Sequence, residues 1–498
     1  MILDKKYYIG ISCGFHDGAI SVVDNTGNLL FAGHSERYSK IKNDKDLNRE
    51  LILDALSYVK GDYELHYYER PPVKFLRQLR SGEQPKLSSL FASNIIGKEN
   101  MKLLGNKKIH THGHHLCHAA GGFQTSSFVD ATVVVIDAIG EFDTISIWDA
   151  RYVNGVATYK KLWGKKYPHS IGLFYSAMTD SVGLKANEEE YIFMGMAAYG
   201  ENKHYAQLHR QLLQDSLTIT FKENLHTGVD KEFIHNADPM DLATSTQLLT
   251  EQLITNVVTL AKVLGPSKNL VYGGGVALNC VANRILGRYY ENIWIMPNPG
   301  DAGNSLGSAC LGYSKRVNWN NAYLGTDITG DYPTNKLLDI LLNGKIVGVA
   351  NGRAEFGPRA LGNRSLLADP RGNEIKDKVN EIKRRQKFRP FAPVILEEYV
   401  NDYFVMPDNW HNSRYMQVVG TCRYPDLFPA IVHHDGTSRI QTVPKDGTGI
   451  RELLEKWYVL TGCPMLLNTS LNIRGEPMVN DRNDADRFEK LYGITVLS

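Results

Sequence analysis

The chain has 498 residues, room for two or three domains, and a hydrophobic share of 43%, that of an ordinary globular protein with a sizeable core. Lys and Arg (56) nearly balance Asp and Glu (54), and the net charge of +2 gives no global pull toward nucleic acid or a membrane surface. Six scattered cysteines with no C-x-x-C pair argue against a disulfide framework or a zinc ribbon. That cysteine usage leads to the expectation of a reducing, cytoplasmic setting, and no apolar run approaches the roughly 20 residues of a membrane span.

Met1–Gly14 lacks a long apolar run and a cleavage pattern, so it reads as the approach to a first strand and not as a signal peptide. Alternation predicts strands over 7–12, 19–23 and 29–32, a meander whose first turn carries His16-Asp17 between glycines. Residues 46–60 and 88–104 have helical character. His110–Gly122 is His-rich and opens a helix. Residues 130–148 repeat the opening pattern: a buried run, Thr132–Ile136, ends in Asp137 and a second strand follows. Two such units predict a duplicated fold in which each copy presents a turn to a shared cleft. Helices are expected over 170–185 and 242–264, the latter with Leu248, Leu249, Leu253, Val257, Leu260 and Leu264 at helical spacing. Polar residues 202–240 read as an insertion. Strands are expected over 269–272, followed by Gly273-Gly274-Gly275 and a helix, and over 293–296. The turn-rich stretch 325–335 marks a domain boundary, placed at 328/329, beyond which a second alternating α/β pattern runs to the end.

His114 and His118, four apart, share one helix face and can grip one metal ion. Two imidazoles rarely complete a site, and Asp137 at a strand end and Asp301 in a Gly-rich turn are the best carboxylate partners. Such a set suits Fe(II), Mn or Zn; a solvent-exposed His-rich loop is the competing reading. The run 271–284, VYGGGVALNCVANR, lets a ligand approach the backbone and offers a helix terminus to a phosphate, or is simply a tight strand-to-helix turn. It matches neither a dinucleotide fingerprint nor a P-loop. The string 352–371 holds Arg353, Arg359, Arg364 and Arg371 among Gly and Pro, which favours anion handling over structural ion pairs. Lys376–Arg389 is strongly basic, and reads as a phosphate pocket or a solvated face before a nucleic-acid patch. Ser470 and Asn472, two apart, face one side of an extended segment.

Taken together, GFHDGAIS (14–21), HHLCHAA (114–120), GLFYSAMT (172–179), EYIFMGMAAYG (190–200), GGVALNCVAN (274–283), EFGPRALGNRS (355–365), FRPFAP (388–393), HDGTSRIQTV (434–443) and LLNTSLNIRGEP (466–477) resemble the NodU/TobZ/CmcH family of O-carbamoyltransferases, in family order along nearly the whole chain. The resemblance implies an α/β protein: an actin/hexokinase-like (ASKHA, TsaD-like) duplicated domain over 1–328, carrying the metal site and transferring the carbamoyl group, then a YrdC-like domain over 329–498 that forms carbamoyl-adenylate. It implies Mg-ATP and carbamoyl phosphate as co-substrates, and iron or another divalent metal in the first domain on His114, His118, Asp137 and Asp301. It carries a K-x-R and S-x-N pair onto Lys387/Arg389 and Ser470/Asn472. On that footing His16, Asp17, Arg359 and Arg389 are catalytic candidates, His16 as general base or as a phosphate-loop hydrogen bonder. Gly273, Gly274, Gly275, Asn279, Asn304 and Arg353 join Lys387, Ser470 and Asn472 as nucleotide and carbamoyl phosphate binders. Ile192 stands where the family usually has Lys, Leu471 where it has Phe, and the chain is short for the family, which bears on the acceptor more than on the chemistry. The expected acceptor is a small-molecule hydroxyl on a sugar or antibiotic-like metabolite, with a hydroxymethylated nucleotide or DNA as the minority alternative. No membrane partner is expected, and a homodimer is compatible. Rival readings are TsaD-type threonylcarbamoyl-adenosine modification of tRNA and a non-catalytic nucleotide-binding regulator on the same fold.

Overall fold

A computed structural model describes residues 6–230, 232–372, 374–447 and 449–498. Residues 1–5, read from sequence as the approach to the first strand, lie outside the described residues. The chain divides into two compact units, Met1–Ser35 with Asn43–Asn320, and Glu36–Lys42 with Asn321–Ser498. The division thus falls at 320/321 and not at 328/329. The strand Tyr323–Ile328 pairs with Gly352–Glu355, a ladder internal to the second unit, which is why the turn-rich signal over 325–335 misplaces the border.

The first unit contains two five-stranded sheets. In one, β1 (Lys6–Ser12), β2 (Ala19–Asp24) and β3 (Leu29–His34) form an antiparallel meander, and β4 (Asp62–Tyr67) and β5 (Ile109–Thr111) continue from the other side of β1 in parallel, giving the order β3-β2-β1-β4-β5. In the other, β6 (Asp130–Gly140), β7 (Asp143–Val153) and β8 (Val156–Lys166) form the meander, and β9 (Asn269–Gly273) and β10 (Asn292–Trp294) add in parallel beside β6. The topology is the same twice. Hairpins suffice for the antiparallel turns, whereas each parallel step needs a crossover, which helices supply.

Two of those helices matter for the site. α1 (Pro71–Arg80) begins with proline at its first turn, where a missing N–H costs nothing. α2 (His114–Thr125) is buried along almost its whole length. The longest helix, α3 (Pro239–Leu264), is capped by Asp238, whose carboxylate accepts from the N–H groups of Met240 and Asp241. Its buried stripe runs through Leu242, Leu249, Leu253, Val257 and Ala261; Leu264 lies past the last core contact and is 38% exposed. α4 (Asn304–Tyr313) packs on α2 at Gly307, where a Cβ would sit 2.0 Å from the Cys117 carbonyl oxygen, so any side chain there would drive the helices apart. The glycine run 273–275 is followed by 3-10 turns, Gly275–Leu278 and Ala282–Arg288, and not by the expected α-helix.

The second unit is built on a six-stranded mixed sheet. Its strands are β11 (Val347–Ala350), β12 (Arg364–Ala368), β13 (Ala392–Leu396), β14 (Gln441–Val443), β15 (Met465–Ser470) and β16 (Val496–Leu497), in the order β14-β13-β15-β12-β11-β16. Alternation sends Ile395 and Leu467 to one face, against Val379, Phe404 and Phe428, and Val394 and Leu466 to the other, against Leu341, Leu453 and Trp457. Each such fully buried large side chain is worth about 1.5–3 kcal/mol. The chain is a mixed α/β protein; all six cysteines are buried and free of disulfides, and among the described residues no helix is long and apolar enough to cross a membrane.

Candidate active site

The turn after the first strand of one sheet and the C-terminal half of the first strand of the other contribute to one place. β1 runs into the turn that holds His16 and Asp17, and β6 carries Asp137. α2 contributes His114 and His118, and a 3-10 turn before α4 contributes Asp301. His114, His118, Asp137 and Asp301 are all buried, and one ligand atom of each lies within 4.8 Å of the others. His114 Nε2 is 3.0 Å from Asp137 Oδ2, 3.2 Å from Asp301 Oδ1 and 3.1 Å from His118 Nε2; His118 Nε2 is 3.5 Å from both carboxylates. Ligands at about 2.0–2.2 Å from one divalent ion stand about 2.8–3.1 Å apart at octahedral and about 3.3–3.6 Å apart at tetrahedral angles, so these four could hold a metal with little movement.

The surroundings fix this set. Nδ1–H of His114 donates to Glu69 Oε1 at 3.2 Å, which turns Nε2 inward, and Glu69 Oε2 accepts from Lys74 at 2.6 Å. A carboxylate behind a ligand histidine sets its tautomer and basicity. The backbone N–H of Gly275 donates to Asp137 Oδ1 at 3.2 Å. Gly274 has φ +87°, and a Cβ there would lie 2.2 Å from the Ile136 carbonyl oxygen, so the glycine run closes over the end of β6. Asn304 places Nδ2 3.0 Å from His118 Nε2, and its Oδ1 is buried without a partner. Burial opposes charge throughout, but the pairing outweighs it: the imidazoles hold Asp137 and Asp301 well below the usual carboxylate range, and the carboxylates raise His114 and His118. Against burial, Asp301 and Asp17 likewise raise His16 to about 9. His16 Nδ1 is bonded to Asp17 Oδ2 at 2.9 Å, and its Nε2 faces Asp301 Oδ2 at 3.6 Å. Asp17 has φ +54°.

Several residues assigned from sequence are otherwise employed. Asn279 exchanges amide bonds with Gln247, and its Oδ1 also accepts from the Ala282 N–H, so its side chain is largely engaged within the fold. Ile192 is a core residue, 1% exposed. In the second unit, Arg353 donates to the backbone carbonyls of Leu324 and Gly325, Arg364 to those of Thr326, Asn351 and Asn480, and Arg371 pairs with Asp369. Those three arginines brace the fold, so the structural reading of the 352–371 string holds for them. Arg359 sits half-buried on the same turn, whose N–H groups of Leu361, Asn363 and Arg364 are gathered by Glu355.

Ser470 and Asn472 do meet, with Ser470 Oγ 2.6 Å from Asn472 Oδ1, but the lysine they meet is Lys383 and not the exposed Lys387. Lys383 Nζ lies 2.5 Å from the Ser470 carbonyl, 3.1 Å from its hydroxyl and 2.9 Å from Asn472 Oδ1. Burial, then repulsion from Arg385, Arg389 and Lys42, push its pKa well below that of a free lysine. No carboxylate is among its hydrogen-bond partners. The signal was present: K-x-R spacing occurs twice in this run, at Lys383/Arg385 and at Lys387/Arg389, and only tertiary contact tells them apart. Glu69 and Lys74 were also missed, since nothing in the sequence links them to α2.

Fold and site define an α/β protein with a buried two-histidine, two-carboxylate centre in its first unit and a buried cationic cluster in its second. Residues 79–310 match the family described as Carbamoyltransferase N-terminus, and residues 338–498 Carbamoyltransferase C-terminus. An uncharacterized protein of Synechocystis sp. is 34% identical over 585 aligned residues, covering 97% of this chain and 94% of that one. Nodulation protein NolNO of Sinorhizobium fredii is 30% identical, covering 94% and 76%, and nodulation protein U of Rhizobium tropici is 34% identical, covering 52% and 48%. The chain belongs to the carbamoyltransferase family of the NodU and NolO nodulation proteins, and it is a carbamoyltransferase.

Proposed function

We propose that this enzyme is an ATP-dependent O-carbamoyltransferase that works through carbamoyl-adenylate. Carbamoyl phosphate and water give carbamate and phosphate; a carbamate oxygen attacks the α-phosphorus of Mg-ATP and pyrophosphate leaves. An acceptor hydroxyl then attacks the carbamoyl carbon and AMP leaves. The first two steps belong to the second unit, in which a YrdC-like domain is the proposed assignment. There the uncompensated charge of Lys383, with Arg385 and Arg389 near it, supports binding of phosphate-bearing substrates. Ser470 and Asn472 orient the ammonium.

Transfer is assigned to the first unit, for which the twofold repetition of one sheet topology supports an actin/hexokinase-like scaffold. The observation that carries the proposal is the 3.0–3.5 Å spacing of His114, His118, Asp137 and Asp301. His114, His118, Asp137 and Asp301 would hold a divalent ion such as Fe(II), which would supply Lewis-acid stabilisation of charge on the departing phosphate. Asp17 fixes the His16 ring with Nε2 toward the centre. With a cation held on Asp301, the attraction that raises His16 would be offset, and a neutral His16 imidazole could then accept the acceptor's hydroxyl proton. The acceptor is proposed to be a small-molecule hydroxyl. In metal-stripped protein, and in His114→Ala and Asp301→Ala, pyrophosphate release should continue while carbamoyl transfer stops. Survival of transfer in all three would sink the assignment.

A further inference from the structure

Beside the transfer centre the first unit has a cavity of about 240 Å³ that the chemistry above does not use. Its walls include Gly14 from the turn after β1, Lys74 and Gln78 from α1, and Lys86, Ser88 and Asn94 from the segment that follows. Pro71, Lys74 and Gln78 are spaced i, i+3, i+7, so one face of α1 forms one side. Gly14 closes another, where a Cβ would lie 2.3 Å from Ile95 Cγ2.

Two of these walls are shared with the centre. Lys74 reaches from the cavity to Glu69, and Glu69 holds the metal-facing His114. Gly14 leads directly into Phe15 and His16. The Phe15 ring is 4.6 Å from the His16 ring, half exposed, and lies under the Lys74 ammonium at 5.3 Å. Gly14, in the cavity wall, is two positions from the proposed base, so the cavity abuts the turn that carries His16.

The lining also has a chemical character. It contains two lysines and no carboxylate. Glu69 answers the charge of Lys74, but no described residue hydrogen-bonds or pairs with the ammonium of Lys86. Gln78 and Asn94 each spend an amide N–H, on Glu83 and on the Ser88 carbonyl, and Ser89 spends its hydroxyl proton on the Lys86 carbonyl; the two amide oxygens and the Ser88 hydroxyl are left to face a hydroxylated ligand. The volume is below the ~300–1,000 Å³ of drug-sized pockets, which suits a single ring.

We propose that this cavity is the acceptor site, and that it selects a compact, single-ring hydroxyl compound bearing one anionic group, which Lys86 reads. The inference rests on the transfer reaction proposed above and names its substrate class. The shared chemistry, a phosphate ester with a free hydroxyl, is found in sugar phosphates and in nucleotides, and the test separates them.

Fe(II)-loaded enzyme is given ATP and labelled carbamoyl phosphate with matched pairs: glucose and glucose 6-phosphate, and 5-hydroxymethyldeoxycytidine and its 5′-monophosphate. In at least one pair the phosphate ester should be carbamoylated with kcat/KM tenfold or more above its neutral partner. Lys86→Glu should raise KM for that ester at least tenfold with kcat held, and Ser89→Trp, which fills the cavity, should stop transfer to both members while pyrophosphate is still released. Neutral partners used as well as the esters, no ester used by an enzyme that releases pyrophosphate, or an unmoved KM in Lys86→Glu would each overturn the proposal. Calorimetric titration of glucose 6-phosphate and the deoxycytidylate into the enzyme, without ATP, tests the cavity apart from the reaction. Heat of binding lost in Lys86→Glu supports it even if adenylate formation fails, and no binding of either ester overturns it.

Discussion

The two units handle buried charge in opposite ways. In the first, two imidazoles and two carboxylates stand 3.0–3.5 Å apart, and a further pair, Glu69 and Lys74, backs one of the imidazoles. Each charge there has an opposite within reach, so the centre is balanced by itself and could exchange protons for a cation. In the second, Lys383 is as deeply buried but bonds only to a carbonyl, a hydroxyl and an amide oxygen, with arginines as its charged neighbours. That unit is electrostatically incomplete until an anion arrives. A self-compensated cluster suits a resident metal, and an uncompensated cation suits a substrate that comes and goes.

The sharpest way to break this contrast is Lys383→Met. Removing the buried lysine that touches Ser470 and Asn472 should lower carbamoyl-phosphate-dependent pyrophosphate release about 100-fold or more. The same change should leave the protein as stable or about 1–2 kcal/mol more stable, because an unpaired buried charge is gone; urea midpoints report it. Asp137→Ala should do the reverse in the metal-free protein, costing about 3 kcal/mol by leaving buried imidazoles without their counter-charge, and should abolish stoichiometric metal binding measured by elemental analysis.

Glu69→Gln tests whether the backing pair matters. It keeps the shape but weakens the bond to His114 Nδ1, and metal affinity in a chelator competition should fall about 10–100-fold, with recovery in Glu69→Asp smaller than wild type but above Gln. An unchanged affinity would reduce Glu69 to a packing role. The smallest effect is expected away from both sites. His66, His110 and His112 stack on neighbouring strands, with His66 Nδ1 2.9 Å from His112 Nε2. Burial and mutual repulsion lower His66 and His112 to about 4. Below the ordinary value of about 6.5 the unfolded chain binds protons that the folded one refuses. Stability from these rings is therefore present above about pH 6.5 and lost as pH falls toward 4. Thermal melts of His112→Gln should show a shallower loss of Tm across that window, by a few degrees.

Much of the site was legible because its ligands announce themselves locally. His114 and His118 fall on one helix face by spacing alone, and Asp137 ends a run of β-branched residues that had to be a buried strand. The meander 7–34 and its echo at 130–166 followed from alternation and turn residues. What failed did so for one reason. The arginines of 352–371 looked like anion binders by type, but whether a guanidinium faces a ligand or a backbone carbonyl is not encoded in neighbours along the chain. Arg353 reaches a backbone carbonyl 28 residues away, and Arg364 one 116 residues away. Likewise Asn279 was spent on Gln247, 32 residues off.

By itself the sequence determined the α/β class and the family, and it singled out the two histidines, the two aspartates and the glycine run that the fold brings together, because helical and strand periodicity and short motifs are local. Only the tertiary structure decided that Lys383 and not Lys387 meets Ser470 and Asn472, that Glu69 stands behind His114, and that a cavity with an unanswered lysine opens beside His16. Those contacts join residues 45 to 89 positions apart, and their energetics depend on burial, which no spacing along a chain prescribes.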